Sequence, residues 1–277
     1  MSAAAIRLNL LQSYAFVARN MNLVKRYWGW EVVWLLYATA NSLAVTFIAV
    51  GAGQVTGQSN IDIPYFTLYL LLGTLVWHFL SGMFNAVSEV ISWERWEGTI
   101  EYTLMAPVHR WVHLIGQTLF AVFWSLFTTI IIGGITALFF EINLTSANLG
   151  GALIILICGS ISLIGIGIIS SILPLMYPER GMQMTHIIQA SFLLVSGVYY
   201  PITVLPAWMQ FLAQLSPVTY VLNGIRASIM ENAPTSDLMQ YIVPLLIFGV
   251  VTVPLGVWAF MKAEAYAKRT GRLKRVG

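Results

Sequence analysis

Groups that could form ion pairs or pass protons are concentrated between Ser92 and Pro107. This stretch carries Glu94, Arg95, Glu97 and Glu101, interleaved with Trp93, Trp96 and Gly98. The glutamates have no histidine close in sequence, so acid–base catalysis is disfavoured. Tryptophans for burial and charges for register suit a short amphipathic helix facing a protein partner. A connecting loop whose charges stay wet fits the same composition, and both readings stand at this point. His109 and His113 lie four apart, the spacing of a metal pair, but no third ligand is evident. Cys158 is the single cysteine and sits in an apolar run, which leaves no disulfide framework and no cysteine metal site. None of the four lysines follows a glycine, so the chain has no Gly-Lys phosphate-binding loop and does not bind ATP by that route.

The elements that must hold these groups are read from where charge is missing. The 277 residues are 58% hydrophobic and 9% charged, with a net charge of +3; soluble domains run to about 45–50% and about 25%. That composition excludes a soluble enzyme, a disordered chain and a nucleic-acid binder. Six long intervals are free of charge, each longer than the roughly 20 apolar residues a helix needs to cross a bilayer. No ten-residue alternation suggests a β-barrel, and backbone groups in lipid must be paired within the segment. The expected fold is therefore an all-α integral membrane protein of one domain, with spans at 32–50, 65–88, 112–140, 151–176, 183–200 and 238–261. Gly51, Gly53 and Gly57 are expected to close the first span, and Pro244 and Pro254 to bend the sixth. The segment 201–230, with Pro201, Pro206 and Pro217, reads as irregular or re-entrant.

Thirteen of the fourteen basic residues fall on one side of these spans and only Arg226 on the other. The positive-inside rule then places both termini in the cytoplasm of a multi-pass plasma-membrane protein. Residues 1–28 lack the pattern of a signal peptide. Ile6, Leu10, Tyr14, Val17, Met21 and Val24 recur at helical steps, as in an amphipathic helix lying at the interface. Polar groups inside spans are default candidates for function. Asn41, His78 and Asn85, with Tyr69, either line a path or bond a neighbouring helix. Phe192, Tyr199, Tyr200 and Trp208 form a gate or an interfacial anchor. Small residues crowd the fourth span, among them Gly159, Ser162, Gly165 and Gly167, and predict close helix packing. Asp62 and Glu141 read as outer-loop charges without a partner.

Two motifs resemble those of the ABC-2 family of exporter permeases. Glu94-Arg95-Trp96-Glu97-Gly98-Thr99-Ile100-Glu101, followed by Met105-Ala106-Pro107 and Arg110, is similar to the family's E-R-x-x-G-T-[IL]-E…P…R. Ser196-Gly197-Val198-Tyr199-Tyr200-Pro201, Leu205-Pro206-Ala207-Trp208 and Ser216-Pro217-Val218-Thr219-Tyr220, ending near Arg226, resembles its second signature, with Ser216 where Asn is commoner. The resemblance implies that 92–106 is a coupling helix, with Trp93, Glu94, Arg95, Trp96, Glu97, Gly98 and Glu101 contacting a separate ATPase. It implies short re-entrant helices before the last span, and a second permease copy as homodimer or related heterodimer. ATP and Mg would be bound by the ATPase, with no cofactor, metal or catalytic residue in this chain. The implied function is ATP-driven export of amphipathic or hydrophobic cargo such as a drug, lipid or natural product. A polysaccharide or lipid-linked glycan exporter is the alternative within the class; a lipid-modifying membrane enzyme or a scaffold subunit is the alternative outside it.

Overall fold

The structure is a computed structural model that describes residues 3–56, 62–140, 142 and 147–270. Gly57, Glu141, Arg272, Lys274 and Arg275 lie outside the described residues, as do the side chains of Ile6, Gly53, Glu101 and Arg110. Among the described residues every regular element is helical: α1 (Ala3–Arg26), α2 (Trp28–Thr56), α3 (Ile63–Ser88), α4 (Val90–Trp96), α5 (Ile100–Met105), α6 (Arg110–Phe139), α7 (Leu149–Ser170), α8 (Ile172–Met176), α9 (Gly181–Val195), α10 (Ala207–Gln214), α11 (Pro217–Ile229) and α12 (Met239–Arg269). A single 3₁₀ turn, Ile202–Val204, precedes α10.

Five segments are long and apolar enough to cross a membrane: Trp28–Ala52, Ile63–Ser88, Trp111–Phe139, Leu149–Met176 and Met239–Arg269. Their starts follow from local chemistry. Asp62 is not a bare loop charge: it caps α3, accepting from Tyr65 N at 3.1 Å, with Pro64 in the first turn where its missing N–H costs nothing. Asn148 caps α7 through Gly151 N at 2.9 Å. Gly51 and Gly53 do not end α2, which runs on to Thr56, and α12 is continuous through Pro244 and Pro254. The expected fifth span is different. α9 has 15 residues and rises about 22 Å, less than the roughly 30 Å hydrocarbon core. It stops at Val195 rather than 200 because the chain turns through Gly197 at φ +72°.

The α7 small residues do what their spacing predicts. A Cβ on Gly165 would lie 2.2 Å from the Thr252 carbonyl carbon, and one on Gly256 would lie 2.6 Å from Gly165 O. α7 and α12 therefore meet backbone to backbone, which larger residues would forbid. α11 lies along α7, with Val221 filling the space that a Gly159 side chain would need. The outer sides of α2, α6 and α12 carry exposed apolar residues such as Phe47, Phe127 and Val250.

Candidate functional site

The segment after α3 is not one helix over 92–106. α4 ends at Trp96 and α5 begins at Ile100, and Gly98 at φ +71° turns the chain between them. That conformation is strained for any residue with a Cβ. The break divides the side chains by chemistry. Glu94 is 2% exposed; its Oε1 accepts from Arg19 Nη1 at 3.2 Å, from Thr103 Oγ1 at 3.3 Å and from His113 Nε2 at 3.0 Å. Glu97 Oε2 accepts from Arg19 Nη2 at 2.9 Å, and the same nitrogen donates to Thr99 Oγ1 at 2.9 Å. Arg95 donates to the Leu175 carbonyl of α8 at 3.0 Å. Glu94, Glu97 and Arg95 thus bond within the chain, tying α4–α5 to α1, α6 and α8. The outward groups are largely aromatic and apolar: Trp93, Trp96, Tyr102 and Met105 are 49–80% exposed, and Trp93 and Trp96 pack edge to face at 5.7 Å.

α1 makes this possible by using two stripes. Asn9 and Ser13 are buried, and Phe16 meets His113 with ring centroids 4.7 Å apart. Gly116 of α6 admits the approach, since a Cβ there would lie 2.8 Å from Ser13 O. The other stripe carries the apolar residues expected of an interface helix: Leu10 and Tyr14 are 66% and 69% exposed, free to lie against lipid. His113 is thereby a hydrogen-bond partner of Glu94 rather than half of a metal pair with His109. Among the described residues no three His, Cys, Asp or Glu side chains form a metal-sized group.

Glu89, at the joint of α3 and α4, is 7% exposed and faces His186 Nε2 of α9 at 3.6 Å. Burial pushes its carboxyl up from the ordinary range, and His186 and a Trp93 hydrogen bond only partly oppose that.

At the other end of the bundle Arg226 of α11 is buried. It donates to Gly197 O at 3.0 Å and Val198 O at 2.8 Å, and its guanidinium lies 3.6 Å from the Tyr69 ring centroid. Gly73 leaves room, because a Cβ there would sit 2.1 Å from Val198 O. Ser196 and Ser216 hydroxyls meet at 2.7 Å. This second constellation joins the two halves of the 196–226 motif. Sequence reading did not mark Arg226 as a site residue, although its isolation as the one basic residue on its side was a signal.

The candidate path residues separate. Asn41, His78 and Asn85 line one cleft of about 410 Å³ between α2, α3 and α6. Tyr69 instead supports Arg226, and Phe192 packs against Phe84 with ring centroids 6.5 Å apart. Tyr199 packs against the hydrophobic core, and Tyr200 Oη donates to Leu194 O at 2.6 Å.

Comparison with known proteins decides the family. The family model described as "ABC-2 type transporter" matches residues 9–230, a stretch that includes both constellations. The chain belongs to the ABC-2 type transporter family. Its relatives are distant. The "Probable multidrug ABC transporter permease YbhR" of Escherichia coli (strain K12) is 21% identical over 193 residues, 70% of this chain and 51% of that protein. The "Inner membrane transport permease YadH" of the same strain is 21% identical over 210 residues, 73% of this chain and 81% of that protein. The "Linearmycin resistance permease protein LnrN" of Bacillus subtilis (strain 168) is 28% identical over 82 residues, 30% of this chain and 21% of that protein. The chain spans about half the length of YbhR. It is a multi-pass permease of that family, and its 277 residues carry no ATPase domain.

Proposed function

We propose that this chain is the membrane subunit of an ATP-driven exporter of amphipathic or hydrophobic cargo, and that α4–α5 is where its ATPase presses. The observation that carries the reading is the division of that segment: charges turned inward onto α1, α6 and α8, and Trp93, Trp96, Tyr102 and Met105 turned outward. A partner seated on the aromatic face pushes on three helices at once, since Arg19, Glu94 and Arg95 tie the segment to them. Gly98 shapes the turn, and Glu101 lies on α5 beside Tyr102. α4 follows α3 with only Glu89 between them, so displacement passes directly into a helix that lines the cleft. This is a rigid-body switch biased by the partner.

In this reading α9 and the 201–230 segment together form a short fifth span and a re-entrant turn, which gives six spans. Both termini are cytoplasmic in the plasma membrane, and a second permease copy, identical or related, completes the pair. The nucleotide and its Mg belong to the ATPase; the four lysines of this chain offer no phosphate loop. Multidrug naming of YbhR favours a drug, lipid or natural product as cargo, and Asn41, His78 and Asn85 favour the α2–α3–α6 cleft as part of the route.

The test is Trp96→Ala combined with Tyr102→Ala. Both side chains are exposed, so the fold should be retained within about 0.5 kcal/mol while ATPase co-purification falls. Undiminished capture and transport by the double variant would remove α4–α5 from the interface.

A further inference from the structure

The cleft between α2, α3 and α6 has a chemistry that the docking segment does not use. Among the described residues Glu31 is the one formally charged residue in its lining, with no lysine or arginine beside it. Glu31 Oε2 accepts from Trp124 Nε1 at 3.2 Å, which fixes the carboxylate without neutralising it. Trp34, Tyr37, Trp77 and Phe120 line the same space as Trp124. Ser42 Oγ and Asn85 Oδ1 are buried with no hydrogen-bond partner among the described residues. His78 Nε2 lies 3.4 Å from Thr128 Oγ1. The Thr128 proton is directed to the Trp124 and Ser125 carbonyls, each at 3.1 Å. The imidazole N–H is therefore the donor to Thr128, which leaves Nδ1 as a further acceptor.

A carboxylate without a counter-cation, aromatic rings with electron-rich faces and unpartnered acceptors share one electrostatic preference. All three favour positive charge, and the low dielectric of such a cleft strengthens the preference. At about 410 Å³ the space falls within the roughly 300–1,000 Å³ of small-molecule sites. Trp34 and Tyr37, 53% and 63% exposed, stand at its open side. Glu31 lies near the start of α2 and Asn85 near the end of α3, so these two acceptors stand toward the α4–α5 end of the helices.

We infer that this cleft binds a lipophilic organic cation, an ammonium or phosphonium carrying aromatic or alkyl groups, with Glu31 as its counter-ion. That the cation is cargo rests on the exporter reading; that it binds does not. Glu31 holds the charge, Trp124 orients Glu31, and the other aromatic side chains cover the apolar substituents.

The probes are tetraphenylphosphonium and tetraphenylborate, which share shape and differ in sign. Binding is measured on the permease purified with its ATPase in phosphatidylcholine nanodiscs, after subtraction of empty discs. Saturable phosphonium binding should be about tenfold or more tighter than borate binding. Glu31→Gln keeps an acceptor for Trp124, and should weaken phosphonium by about tenfold while leaving borate unchanged. Ala38→Phe narrows the cleft with Glu31 intact, and should weaken phosphonium as well. Equal affinity for the two ions, or phosphonium binding unmoved by either variant, overturns the inference. ATPase capture is read on the same samples. A complex that assembles but does not prefer phosphonium defeats this inference alone. A chain that prefers phosphonium through Glu31 but captures no ATPase supports the cleft chemistry and defeats the exporter reading.

Discussion

Arg19 and Arg226 both reach from one helix to another, and they differ in what receives them. Arg19 ends on the carboxylates of Glu94 and Glu97, with its side chain 28% exposed. Arg226 ends on two successive backbone carbonyls and a tyrosine ring. The Glu97 carboxylate and the Arg19 side chain are partly exposed and can change rotamer and exchange partners with water, so the α1–α4 joint can shift without unfolding. Carbonyls at Gly197 and Val198 move only if the chain moves, so the Arg226 joint pins the turn between α9 and α10. The pair teaches that one cation type makes an adjustable joint at the docking end and a fixed staple at the other. A transporter that rocks one end against the other would need both.

The comparison breaks first at Arg226. Arg226→Ala should cost about 3–5 kcal/mol, since it strips two charge-assisted hydrogen bonds and a ring contact from a buried turn. Thermal unfolding of the purified chain reads the loss. Arg226→Lys should recover little, because an ammonium cannot fork to two carbonyls while lying flat on Tyr69; full recovery would show a point charge to be enough. Gly73→Ala tests the same staple from the opposite helix. Its Cβ would sit 2.1 Å from Val198 O, and about 1–3 kcal/mol should be lost.

At the other joint, a double-mutant cycle of Arg19→Ala and Glu94→Ala should give a coupling of about 1–2 kcal/mol in stability. The larger effect there should be on transport coupled to ATP hydrolysis. Additive losses would mean that Arg19 and Glu94 are neighbours rather than a joint.

The smallest effect is expected at Glu89, and its sign is the test. Burial raises the Glu89 carboxyl above its ordinary pKa, so the stability it permits is fully present below the unfolded value and lost as pH rises through the folded one. Glu89→Gln should therefore match the wild type in acid and become the more stable form toward neutral pH. A variant less stable at neutral pH would mean that the His186 contact outweighs burial.

Much of the fold could be read along the chain. Charge-free intervals longer than a bilayer crossing coincide with the five long apolar helices among the described residues, and the small residues of α7 marked a close crossing, because both signals are local and periodic. α9 was overestimated, since the uncharged residues 196–200 extend a charge-free interval equally well outside a helix. The candidate site was legible as a cluster but not in its orientation. Glu94 and Trp96 are two residues apart, and one is buried while the other is 70% exposed.

That orientation depends on residues far away in sequence. Glu94 turns inward because Arg19 and His113 wait there, 75 and 19 positions distant, and no local propensity encodes such a pairing. Arg226 was conspicuous for its position in the chain, yet its receivers are main-chain carbonyls, which every residue owns and no side-chain pattern reveals. Glu31 directly precedes the expected span at 32–50 and carries no motif there; only the approach of α3 and α6 gave it a cleft. The membrane-spanning helices and the helical class were thus written in composition and period, and the charged segment from Ser92 to Pro107 stood out in them as a cluster. Which way each charge faces, and that Glu31 meets Trp124 rather than a cation, was settled by helix packing, because electrostatic partners are chosen by distance in space.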